Sequence, residues 1–197
     1  MARLFDKLFL NDFIENEFRK KLKEKIERIT IIESSDLSKI TADLKAEFTI
    51  HPLVLKEPKA GNPIETKRER RGDIYTGFYE TEQTIWKIPV TIPYEGNGTL
   101  FEYAPSSSTV LSFPESLKVN SQHISVQVDL GELDPDKYQS SIDKIVTDLN
   151  QNLPTINSEI TPWNNELDSQ ITQMLEKRKQ TALDKSAFMK KIFSKDT

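Results

Sequence analysis

Few residues of this chain have the types and spacing that chemistry needs. His51 and His123 are the only two imidazoles, and neither stands in an HExxH or triad-type neighbourhood, so each reads as structural. Two histidines exclude a three-histidine zinc site. The absence of cysteine excludes disulfides, cysteine nucleophiles and thiolate metal sites. Asp129, Glu132, Asp134 and Asp136 offer oxygens to a hard cation, but they lack calcium-loop spacing and its glycine. Asp134 before Pro135 is instead a helix start. Glu65-Thr66-Lys67 matches the Glu-x-Lys half of a nuclease metal motif, without the upstream acidic partner that completes Mg²⁺ coordination. The six glycines form no phosphate-cradling loop, and Ser106-Ser107-Ser108 has no nucleophile-elbow context. No catalytic residue, metal site or cofactor is expected, and the chain reads as a non-enzyme. A carboxylate site built on Asp134 and Asp136 is the enzymatic alternative; a helix start favours their charged forms and opposes proton donation.

Lys67-Arg68-Glu69-Arg70-Arg71 is the densest positive run. Through Lys67, Arg68, Arg70 and Arg71 it supports an alternative reading as a nucleic-acid-binding accessory subunit, each neutralised phosphate adding salt-dependent affinity. Against bulk electrostatic binding, 27 Lys plus Arg face 31 Asp plus Glu, a net charge of −4 and a pI near 5.4. No window approaches the roughly 18 apolar residues that span a bilayer. The first ten residues lack the apolar run of a signal peptide. With no cysteine, a cytoplasmic protein is expected. Asn97-Gly98-Thr99 matches a glycosylation sequon and reads as a turn.

The elements that must position these residues make an α+β chain in three consecutive segments. Residues 1–46 read as helical: Asn11 or Asp12 caps a helix whose stripe is Ile14, Phe18, Leu22, Ile26 and Ile29, and Leu37, Ile40 and Leu44 line a second. Residues 47–132 read as an antiparallel β-domain. Phe48 to Leu55 is rich in strand formers, and residues 57–73 form an exposed loop. Strands follow over Ile74–Tyr79 and Thr84–Pro93, the latter an edge or interrupted strand because of Pro89. Gly96-Asn97-Gly98 is a hairpin turn leading into Leu100–Tyr103, and Ile124, Val126 and Val128 alternate on a last strand. Residues 133–197 read as a helical hairpin jointed between Pro154 and Pro162, with a tail carrying Phe188, Met189, Ile192 and Phe193. The helical stripes exceed what a small β-domain must cover. Phe18, Leu22, Ile26, Ile171, Leu175, Phe188 and Ile192 are therefore expected to bind a protein partner or a second copy.

Taken in order, Glu47-Phe48-Thr49-Ile50-His51-Pro52-Leu53-Val54-Leu55, Gly72-Asp73-Ile74-Tyr75, Ile88-Pro89-Val90-Thr91-Ile92-Pro93-Tyr94-Glu95-Gly96, Leu133-Asp134-Pro135, Asn164-Asn165-Glu166-Leu167 and Leu175-Glu176-Lys177-Arg178-Lys179 resemble a known pattern. It is that of the N-terminal region of a group of largely uncharacterised bacterial proteins, over roughly residues 37–185. In the longer members a restriction-endonuclease-like domain follows the helical part. This sequence ends about where that domain would begin, so no nuclease residue carries over. The resemblance implies an interaction or regulatory module that accompanies an effector, in bacterial defence against phage or foreign DNA.

Overall fold

The apolar alternation around Ile88, Val90 and Ile92 belongs to a strand far longer than the sequence marks. The computed structural model describes residues 2–31, 35–70, 81–107 and 112–193. The chain is α+β. Its contacts divide it into two units, Met1–Lys7 with His51–Asn157 and Leu8–Ile50 with Ser158–Thr197. Each unit is assembled from stretches distant in sequence, where consecutive segments 1–46, 47–132 and 133–197 were expected.

The first unit is built on a six-stranded antiparallel sheet: β1 (Val54–Leu55), β2 (Lys59–Ala60), β3 (Ile64–Arg70), β4 (Thr81–Glu95), β5 (Lys118–Val119) and β6 (His123–Leu130). β4 is central. β6 runs along one side of it, from His123 opposite Pro93 to Leu130 opposite Trp86, and β5 pairs with the outer edge of β6. Along its other side β1, β2 and β3 pair in succession. Residues 57–73, expected as a loop, thus contain two strands as far as Arg70. The Ile74–Tyr79 strand lies outside the described residues.

Pro89 does not make β4 an edge. Between Ala60 opposite Val90 and Ile64 opposite Lys87 the partner chain slips by one residue, a bulge that suspends the ladder where proline has no N–H to offer. Gly61 closes the gap by donating its N–H to the Pro89 carbonyl (2.7 Å). Ile88, Val90, Ile92 and Tyr94 on β4, with Ile124, Val126, Val128 and Leu130 on β6, bury one face of the sheet, as the period-two pattern requires.

Gly96 is not the tip of a hairpin. Asn97 accepts the Thr99 N–H and caps a 3-10 helix, Gly98–Glu102, whose Leu100 and Phe101 are fully buried; these residues were expected as a strand. Phe101 packs against Tyr94 with ring centroids 5.0 Å apart, and against Phe5 at 5.9 Å. At Gly96 φ is +100°, and a Cβ would stand 2.0 Å from the Pro52 carbonyl oxygen. Gly96→Ala is therefore expected to cost more than the roughly 1–3 kcal/mol of backbone strain alone. A melting midpoint equal to the unsubstituted chain's would refute this.

The second unit is helical. α1 (Leu10–Phe13), a π-helical segment (Ile14–Arg19) and α2 (Lys20–Arg28) follow one another without a break. The first turn begins at Leu10 with Phe9 as N-cap and no side-chain cap, not at Asn11 or Asp12. Ile14, Phe18, Leu22 and Ile26 are each four residues apart, a spacing that drifts about 120° round an α-helix over twelve residues. The wider i→i+5 turn takes up part of that drift. α3 (Leu37–Phe48) starts at Asp36, whose carboxylate accepts the Ser38 and Lys39 N–H groups.

α4 (Pro135–Phe193) is one helix of 59 residues; the hairpin jointed between Pro154 and Pro162 is not present. Both prolines are exposed, as are Asn150 and Ser158, the residues four positions earlier. Proline withholds one backbone bond and crowds the preceding turn, and where both positions face solvent the helix continues through them. The stretch after Phe48, expected as a strand, is strand only at Val54–Leu55. In the first unit the Asn157 side chain accepts the Leu53 N–H (2.9 Å) and donates to the Leu53 carbonyl (2.8 Å). In the second unit Asn164 does the same to Ile50, at 3.0 and 2.8 Å. Among the described residues no helix is long and apolar enough to cross a membrane.

Candidate functional site

The residues singled out for chemistry are not brought together. His51 is exposed and serves through its carbonyl, which accepts the Asn97 N–H; His123 is half-buried at the start of β6. Glu65-Thr66-Lys67 lies on β3, with Glu65 opposite Trp86 and Lys67 opposite Thr84. The Lys67 ammonium pairs with Glu82 at 2.8 Å. On a strand, Lys67 and Arg68 point to opposite faces of the sheet, so the basic run is not the loop expected of it. Arg71 and the side chain of Arg70 lie outside the described residues. Among those residues no cluster of three or more His, Asp or Glu side chains is disposed to hold a metal ion.

Asp134 caps α4. Its carboxylate accepts the Asp136 and Lys137 N–H groups at 3.0 and 3.2 Å, and Lys137 also pairs with Glu132. The hydrogen bond from the Lys137 N–H, aided by the Asp136 N–H and the Lys137 ammonium, holds this carboxyl below its ordinary value. A depressed folded-state value means a stabilising contribution that is present above the unfolded value and lost as pH falls through the folded one. Asp134→Asn is expected to be less stable than the unsubstituted chain at neutral pH and to converge with it in strong acid. Urea midpoints that differ equally at both pH values would refute the assignment.

The apolar residues expected at an interface divide in two. Leu22, Ile26, Ile171 and Leu175 are 0–3% exposed, so within the second unit they form its core and offer no surface to a partner. Phe18 is half-buried, its ring edge-on to Phe13 at 5.3 Å and to Trp163 at 6.2 Å. Phe188 and Ile192, by contrast, remain 62% and 44% exposed, beside Met189 and Phe193 at 42% and 64%. Every described residue from Asp184 to Phe193 is exposed.

Just before this exposed stretch, α2 and α4 flank a cleft of about 680 Å³. Met174 is half-exposed in it over the buried Ile26 and Ile31, and Lys23, Lys177, Arg178 and Lys185 supply positive charge. Arg178 is fixed there by its Nε–H, which donates to the Ile29 carbonyl at 2.9 Å. The sequence marked the exposed apolar tail but not the cleft, because the cleft pairs residues about 150 positions apart. Compared with protein-family models, with curated proteins and with solved structures, the chain has no significant match.

Proposed function

We propose that the chain is a non-enzymatic interaction or regulatory module that binds an effector protein. The observation that carries this reading is the end of α4, where Phe188, Met189, Ile192 and Phe193 are held on an ordered helix with their apolar surface in water. A contiguous exposed apolar patch rimmed by charge marks a binding surface. The pattern of words from Glu47 to Lys179 supports a bacterial setting in which the effector acts in defence against phage or foreign DNA. The test is co-expression with the products of the adjacent genes, followed by size-exclusion chromatography with light scattering. A complex of defined stoichiometry is expected. A chain that elutes as a monomer with every neighbouring product, or that shows metal-dependent turnover abolished by Glu65→Gln, would overturn the proposal.

A further inference from the structure

Met174, Arg178, Thr181, Lys185, Phe188 and Ile192 succeed one another at spacings of four, three, four, three and four residues. That is the spacing of a helix seam that faces a second helix. Its first half lines the cleft against α2, and its second half runs on into water. The seam therefore begins in a concave site and ends on an open face, and it is mixed in character, with apolar groups at both ends and Arg178 and Lys185 between them.

We propose that this face, from the cleft beside α2 to Ile192, receives an acidic amphipathic helix of a partner protein. The assignment rests on the interaction-module reading and specifies its site and occupant. Charge selects the occupant. Lys23, Lys177, Arg178 and Lys185 line the cleft half of the seam, against Glu27, in a chain whose net charge is −4. A second copy of the seam would set Arg178 and Lys185 against like charge, whereas glutamates flanking a leucine stripe would pair with them. A flat bilayer could meet the open half but not the concave half between α2 and α4. From Met174 to Ile192 the seam extends about 27 Å at 1.5 Å per residue, so the partner helix has about 18–20 residues.

The test uses the full chain and two synthetic helical peptides of about three heptads. Both carry leucine at the seam positions; one has glutamate at the flanking positions and its twin has lysine. By fluorescence anisotropy the glutamate peptide should bind saturably, and the lysine peptide at least about tenfold more weakly. Phe188→Asp and Ile192→Asp, both at exposed positions, should each weaken the glutamate peptide at least about tenfold with an unchanged circular-dichroism spectrum. Lys185→Glu should reverse the preference between the two peptides. Equal binding of both peptides, no saturable binding, or indifference to Phe188→Asp would overturn the proposal. So would sedimentation with phosphatidylserine vesicles, or a dimer, that Phe188→Asp abolishes. A complex with a neighbouring gene product that survives Phe188→Asp would leave the module reading standing and remove this site. Absence of any such complex would remove the module reading itself.

Discussion

Trp163→Ala is expected to cost the helical unit about 3–5 kcal/mol, the range for emptying a buried tryptophan site. The indole is 3% exposed, and it joins parts of the unit that are far apart in sequence. Its Nε1–H donates to the carbonyl of Phe48 at the end of α3, at 2.9 Å. Phe18 of the π-helical segment meets the ring edge-on at 6.2 Å, and the Arg19 guanidinium lies 5.8 Å from its centre. The alanine variant loses the packing and also leaves the Phe48 carbonyl without its donor. Trp163→Phe separates the two effects: it refills most of the volume, so the remaining loss of about 1–3 kcal/mol belongs to the unpaired carbonyl. The only other tryptophan, Trp86, sits on β4 in the sheet-containing unit. In the variants its fluorescence therefore follows that unit while circular dichroism at 222 nm follows chiefly the helices. A loss below about 1 kcal/mol for Trp163→Ala in urea would show that the ring is not the centre of this packing.

Asn164→Leu is expected to cost about 2–4 kcal/mol, although the two side chains have nearly the same volume. The amide of Asn164 is the partner of both backbone groups of Ile50, a residue with no exposed surface. Leucine deprives a donor and an acceptor at once, and unpaired buried polar groups cost more than a formed hydrogen bond gains. The neighbouring Asn165→Leu is the control: Asn165 is exposed on the same helix, and a surface change of this kind shifts stability by about 0.5 kcal/mol or less. The difference should appear in the urea midpoint at constant m-value. Equal midpoints for the two variants would mean that the backbone of Ile50 finds other partners. In the first unit Asn157→Leu should act on Leu53 in the same way, since its amide makes the same pair of bonds there.

These asparagines also explain where the sequence misleads. From Phe48 to Leu55 the residues have strand-forming side chains, but a strand is defined by what its backbone pairs with, and at Ile50 and Leu53 the pairing is with side-chain amides. No local pattern announces that. β6 was legible because Ile124, Val126 and Val128 alternate over one buried face. β3 was not, because six of its seven residues are polar or charged and its place in the sheet comes from β4. Prolines were read by a rule about helix interiors and sheet edges. In α4 the rule gives way because the affected positions face water, and in β4 because a bulge lies opposite Pro89. For the candidate site, periodicity identified apolar faces without saying what covers them. The same spacing that buries Leu22, Ile26, Ile171 and Leu175 leaves Phe188 and Ile192 exposed. The α2–α4 cleft needed contacts that only the fold supplies.

The π-helical segment Ile14–Arg19 gives the first helix a place where its length can change without turning its faces. A turn closed by i→i+5 hydrogen bonds holds one residue more than an α-turn, so this segment stores a surplus residue between two buried sets, Leu10 with Phe13 on one side and Leu22 with Ile26 on the other. Loss of one codon anywhere between Glu15 and Glu17 would let the turn relax to ordinary α-geometry. Each residue of the wider turn advances less than the roughly 100° of an α-helix, and over the segment the shortfall adds up to about one residue. The shortened helix would therefore keep Leu10 and Phe13 in phase with Leu22 and Ile26. The same loss within α2 would turn everything ahead of it by about 100°. In mutational terms this segment can lose one residue at a smaller cost than the α-helical turns beside it.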